Sequence, residues 1–284
     1  MHPTDAVDRP GNAASRHRRF LDANSYVVYY GGGCAGQLKL FDIAILEPAA
    51  WDRESILDLK VSGLIALAYL SLLETQPGES PAGLEPRDFL MSQAPVPQAL
   101  AQSQACRIID PRSQTCTCRA SSLVANAMRM GFDGLFVDTV SDVERPGLCD
   151  AGGAAAPGDE LALAVAQQVG RLRRRWPSAV ICQNMGLETI RHLTCGIVDG
   201  FCWENFNRSI RNAWFWATLE WLARAGSKKK VFLLGEESEP GRTSQSDIEM
   251  ARTGHTRGFL TYLAPRGYCS GVNSGWLINC SVEA

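Results

Sequence analysis

Short, continuous apolar runs separated by longer amphipathic stretches constrain this chain more than any other feature. The runs are Tyr26–Tyr30, Asp42–Leu46, Leu64–Leu70, Arg107–Ile109, Gly134–Val137, Ala179–Gln183, Gly200–Trp203 and Val231–Leu234. They do not alternate with polar residues, which is the pattern of parallel strands buried on both faces. Between them, Leu161, Val165, Val169, Leu172 and Trp176 recur at helical spacing and define one face of a helix over 159–176. Ile210, Trp214, Ala217 and Trp221 do the same over 209–224, with Ser209 as the expected N-cap. Gly63, Gly131 and Gly226 stand where helices should stop.

Strands alternating with helices predict an α/β fold, and eight such units in 284 residues fit a single-domain (β/α)8 TIM barrel. A doubly wound open sheet is the competing architecture. Its usual marker is a glycine-rich turn opening a helix after the first strand, but Gly31-Gly32-Gly33 runs into Cys34 without a helical pattern. Helix-to-strand turns are short, as at 130–133 and 176–178. Several strand-to-helix connections are long: Leu72 to about Pro97, Thr139 to Gly158, and Gly235 to Gln245. In a barrel these gather at the C-terminal ends of the strands, where barrel enzymes build their sites. Residues 1–24, rich in Pro, Gly, Asn and Arg, read as a disordered polar leader, and 25–284 as the barrel.

Several function classes are disfavoured. The formal net charge is −2 with no basic stripe, so no nucleic-acid partner is expected. No apolar run approaches the roughly 20 residues of a membrane span. The first 20 residues carry no apolar signal-peptide core, which places the chain in the cytoplasm by default, with export as the alternative. The ten cysteines are scattered, and several sit inside apolar runs, where they behave as small hydrophobes. Cys116-x-Cys118 has the wrong spacing for zinc and only four His occur, so neither metal nor cofactor is expected.

What ends the strands is more telling. Glu47, Asp110, Asp138, Asn184 and Glu204 each follow an apolar run directly, and Glu236 follows one after Gly235. Singly, such an acid caps the next helix. Gathered at one mouth, several buried carboxylates cost stability unless a site uses them. No His occupies a strand end, so a Ser-His-Asp triad has no base. Paired carboxylates, one protonated and one ionised, are what glycosidic bond cleavage requires. Proximity of like charges itself raises one of the two pKa values. Tyr30, Tyr69 and Trp203 lie near strand ends, where ring faces stack on sugars, although core packing is the other reading for each.

These residues also carry a resemblance. Tyr29-Tyr30-Gly31, Phe41-Asp42-Ile43-Ala44-Ile45-Leu46-Glu47, Ala66-Leu67-Ala68-Tyr69-Leu70-Ser71 with Glu74, Asn184 with Gly186, and Asp199-Gly200-Phe201-Cys202-Trp203-Glu204-Asn205 occur in order. With the more specific Gly131-Phe132-Asp133-Gly134-Leu135-Phe136-Val137-Asp138-Thr139, the chain resembles glycoside hydrolase family 114, the endo-α-1,4-polygalactosaminidases, over roughly 26–271. The resemblance implies Asp138 as nucleophile and Glu204 as general acid/base. It implies substrate subsites at Tyr30, Glu47, Tyr69, Asp110 and Asn184, to which the strand-end reading adds Trp203 and Glu236. It also implies retaining cleavage of an α-1,4-linked galactosamine polysaccharide, for which the carboxyl groups should lie about 5–5.5 Å apart. A carbohydrate-binding barrel without catalysis, or with another specificity, is the alternative. A barrel enzyme acting on a phosphorylated metabolite is disfavoured, because acidic Gly235-Glu236-Glu237-Ser238-Glu239 would repel phosphate.

Overall fold

The computed structural model describes residues 10–75, 84–92 and 107–276. Its strands are β1 (Tyr26–Tyr29), β2 (Ile43–Leu46), β3 (Ile65–Ser71), β4 (Phe89–Ser92), β5 (Ile108–Ile109), β6 (Gly134–Asp138), β7 (Leu148–Cys149), β8 (Val180–Asn184), β9 (Gly200–Trp203), β10 (Lys230–Glu236) and β11 (Leu260–Ala264). Eight of them pair in parallel in the order β1-β2-β3-β6-β8-β9-β10-β11. The two edges meet: Tyr30 N–H donates to the Tyr268 carbonyl at 2.8 Å, and the Tyr26 and Tyr262 rings lie 5.8 Å apart. This is a nearly closed (β/α)8 barrel. Tyr26 donates its hydroxyl to the Leu233 carbonyl at 2.8 Å, two strands away, so its side chain crosses the barrel interior. Gly134 and Gly200 let neighbouring strands approach; a Cβ at Gly134 would lie 2.1 Å from the Val180 carbonyl oxygen.

The expected strand at Arg107–Ile109 is not a barrel stave. Ile108–Ile109 pairs antiparallel with β4, which pairs antiparallel with β7 in a separate three-stranded sheet. That sheet stitches the loop after β3 to the loop after β6, on the C-terminal rim. The eighth stave is β11, an apolar run that follows the helix Gln245–Arg257 once Gly258 has stopped it at φ 68°. The helix expected from Ser209 starts later, at Ala213, because the Asn212 side chain accepts from Phe215 N–H and caps it.

Residues 10–22, within the stretch read as a structureless leader, form a helix, Pro10–Asp22. It packs on the opposite, N-terminal end of the barrel. Phe20 is fully buried, with its ring 6.1 Å from that of Phe232. Arg16 Nε lies 3.0 Å from Asp133 and His17 Nε2 3.0 Å from Asp199. Those two aspartates precede β6 and β9. Charges that read as solvated in the sequence therefore find partners at the feet of the strands. Asp133 also takes Lys60 at 3.0 Å, so the buried carboxylate is paired. The helix belongs to the stability face of the barrel rather than to its mouth.

Candidate active site

Three strands end in the polar residues that form the centre. β6 ends at Asp138, β8 at Asn184, and β9 is followed by Glu204. The residue after each takes a left-handed backbone: Thr139 at φ 62°, Met185 at 55° and Asn205 at 55°. Such a turn ends the strand at once and leaves the preceding side chain at the mouth. For non-glycine residues it costs about 1 kcal/mol or more, and such strain gathers at functional sites. Part of the cost at Thr139 is offset by its hydroxyl, which accepts from Leu73 N–H at 2.8 Å and donates to the Asp138 carbonyl at 2.7 Å.

One amide joins the two carboxylates. Asn184 Nδ2 donates to Asp138 Oδ1 at 2.8 Å and to Glu204 Oε2 at 2.7 Å. Those bonds cap the separation of the two oxygens at about 5.5 Å. The remaining oxygens are held by phenols: Tyr69 donates to Asp138 Oδ2 at 2.8 Å, and Tyr268 to Glu204 Oε1 at 2.8 Å. The Tyr30 ring lies between them, 4.7 Å from that of Tyr69 and 5.3 Å from that of Tyr268.

Burial and neighbouring charge act on Glu204 and on the phenols around it. Burial first, and then the neighbouring Asp138 carboxylate, raise the Glu204 carboxyl above the ordinary glutamate range, while the bonds from Asn184 and Tyr268 pull it back. Burial, followed by the adjacent carboxylates, pushes the phenols of Tyr30, Tyr69 and Tyr268 upward, so all three stay neutral and Tyr69 and Tyr268 keep the protons they donate.

The other expected residues divide. Glu236 reaches the rim but is engaged, accepting from Gly267 N–H at 2.7 Å and pairing with Arg208 at 3.1 Å. Glu47 turns back to cap Pro48–Ala50, accepting from Ala49 N–H at 3.2 Å, and its charge is felt at Tyr69. Trp203 is 1% exposed and packs edge-to-face with Phe206 and Trp214. Asp110 is not brought to the centre. It follows β5 outside the barrel, and Arg112 claims its carboxylate through Nε at 2.9 Å and Nη2 at 2.7 Å. Tyr268 was not anticipated. It lies four residues past β11, and only reading 260–264 as a strand would have put it at the mouth.

Among the described residues no group of His, Cys, Asp and Glu is placed to hold a metal ion, and no helix is long and apolar enough to cross a membrane. The described cysteines are all unpaired thiols.

No protein-family model matches the chain, and no curated protein matches it in sequence. Several solved structures are similar. The glycoside hydrolase domain of PelA from Pseudomonas aeruginosa has a TM-score of 0.70 at 18% identity, covering 89% of this chain and 98% of that one. Ega3 from Aspergillus fumigatus, solved in complex with galactosamine, has a TM-score of 0.65 at 12% identity, covering 96% and 99%. TtGalA, an α-galactosidase from Thermus thermophilus, has a TM-score of 0.57 at 15% identity, covering 92% and 62%. At these identities the likeness establishes a shared barrel architecture.

Proposed function

We propose that this protein is a retaining glycoside hydrolase in which Asp138 is the nucleophile and Glu204 the general acid/base. The observation that carries the reading is the single Asn184 amide holding both carboxylates. With the two bonded oxygens within about 5.5 Å of each other, the spacing favours direct attack by one carboxylate over the about 6.5–9.5 Å of inverting enzymes. The raised pKa of Glu204, from burial and from the neighbouring Asp138 carboxylate, supports it as the acid of the pair.

In the first step Glu204 gives its proton to the glycosidic oxygen as the bond to the anomeric carbon breaks, and Asp138 Oδ forms an ester with that carbon. In the second, the Glu204 carboxylate takes a proton from water, whose oxygen displaces Asp138 and regenerates both groups. Tyr69 and Tyr268 keep the carboxylates aimed throughout, since neither phenol ionises near neutrality.

The substrate best suited to this mouth is an α-1,4-linked galactosamine-containing polysaccharide. Free galactosamine is cationic, and beyond the acid pair itself the charges of Glu236 and Glu47 are felt at Glu204 and Tyr69. The likeness to a structure that holds galactosamine supports the same assignment. Reducing-end release from de-N-acetylated α-1,4-galactosaminogalactan tests it. Wild type should cleave, and Asp138→Asn and Glu204→Gln should each lose activity by orders of magnitude while staying folded. Activity surviving either substitution would show that the wrong carboxylates are named.

A further inference from the structure

On the Glu204 side of the carboxylate pair lies a cavity of about 360 Å³ whose other lining residues the chemistry above does not use. Its walls differ in character. Trp203, Trp214 and Ile210 supply an apolar side, and Glu204, Arg208 and Asn212 a polar one. Trp214 is 36% exposed, and the buried Trp203 ring fixes it edge-to-face at 5.3 Å with an interplanar angle of 74°. Ile210, 79% exposed, extends the apolar wall beside Trp214. Arg208 is held in place by Glu236. A rigid aromatic surface facing hydrogen-bonding groups is how proteins grip a pyranose, which has an apolar face and a polar rim. The volume falls in the range of about 300–1,000 Å³ common for small-ligand sites and has room for a sugar ring with its substituents.

Position says which ring. The cavity includes Glu204 but not Asp138, Tyr69 or Tyr30. A sugar seated there lies beyond the atom that Glu204 protonates and away from the carbon that Asp138 attacks. We infer that this cavity is the subsite for the leaving-group sugar, with Trp214 as its stacking platform. The inference rests on the glycosidase reading and adds to it a binding residue and a direction for the bound chain. The helix Ala213–Ala225 carries Trp214 in its first turn, capped by Asn212, so the platform is preorganised.

The test uses the full chain and an α-1,4-galactosamine hexamer, with wild type, Trp214→Ala and Trp214→Phe compared. Initial cleavage rates are measured, together with hexamer affinity in each protein carrying the additional Asp138→Asn change, and thermal melting checks folding. Trp214→Ala should weaken hexamer binding and lower kcat/KM by about 10-fold, and Trp214→Phe, which keeps a ring face, should recover most of both. Wild-type rates and affinity in Trp214→Ala would overturn the subsite while leaving the glycosidase reading intact. A wild type that neither binds nor cleaves the hexamer would overturn both. An alanine-like Trp214→Phe that is stably folded would also overturn stacking.

Discussion

Replacing Asn184 with alanine removes the one group that both carboxylates share. Asn184 is 2% exposed, and its Nδ2 makes two charge-assisted hydrogen bonds, at 2.8 and 2.7 Å. Bonds to charged groups contribute about 1.5–3 kcal/mol each. At 1.36 kcal/mol per pK unit, losing the bond to Glu204 should raise its pKa by roughly 1–2 units. The direction is unambiguous, because the amide donates to the ionised form and lowers the Glu204 pKa in the intact site. Repulsion acts the same way. Two carboxylate charges about 5.5 Å apart oppose each other by about 3 kcal/mol at an effective dielectric of 20, and the amide no longer offsets it. As the acid catalyst, Glu204 must be protonated, so activity falls as pH rises through its pKa. The alkaline limb of kcat/KM should therefore move up by about 1–2 pH units in Asn184→Ala. The plateau should drop by about 100-fold, because each carboxylate keeps its phenol but loses the amide that fixes it relative to the other. The assay is initial-rate reducing-end release across the pH range, with melting curves on the same samples. An alkaline limb that stays in place or moves down would refute the shared-amide account, however large the loss of rate.

Two further outcomes are expected. Tyr268→Phe removes only the hydroxyl that donates to Glu204 Oε1, so it should leave melting nearly unchanged, lower kcat about 10-fold and also shift the alkaline limb upward; a limb unmoved in pH profiles would count against Tyr268 as a positioning residue. Asp142 lies just beyond Asp138, is 4% exposed, and is raised from 3.8 to about 7 by burial first and by the Glu74 carboxylate second. A carboxyl raised in the fold contributes stability that is present below its unfolded pKa and is lost as pH rises through about 7. Asp142→Asn stays uncharged, so its melting temperature should gain on wild type from about pH 4 to pH 7, and a constant difference across that window would disprove the shift.

Much of this protein was legible in its residues because buried parallel strands need unbroken apolar runs and helices need a 3.6-residue stripe. Seven of the eight staves are read that way, as are Asp138, Asn184 and Glu204, since the end of a buried run marks a barrel mouth whatever surrounds it. The errors share one cause. Arg107–Ile109 and Leu260–Ala264 are both short apolar runs, and what separates an edge ribbon from a stave is its pairing partner, which local sequence does not specify. Misplacing that stave hid Tyr268 and put Asp110 at the end of a barrel strand, whereas it follows an edge ribbon and pairs with Arg112. The helix Pro10–Asp22 was hidden for a related reason, because Arg16 and His17 look solvated until Asp133 and Asp199 are brought beneath them. The sequence by itself determined the layered α/β architecture and the positions of the two acids. Tertiary structure alone decided that one amide would hold both, which phenols would brace them, and that burial would raise Glu204, because separations and desolvation exist only once distant strand ends meet.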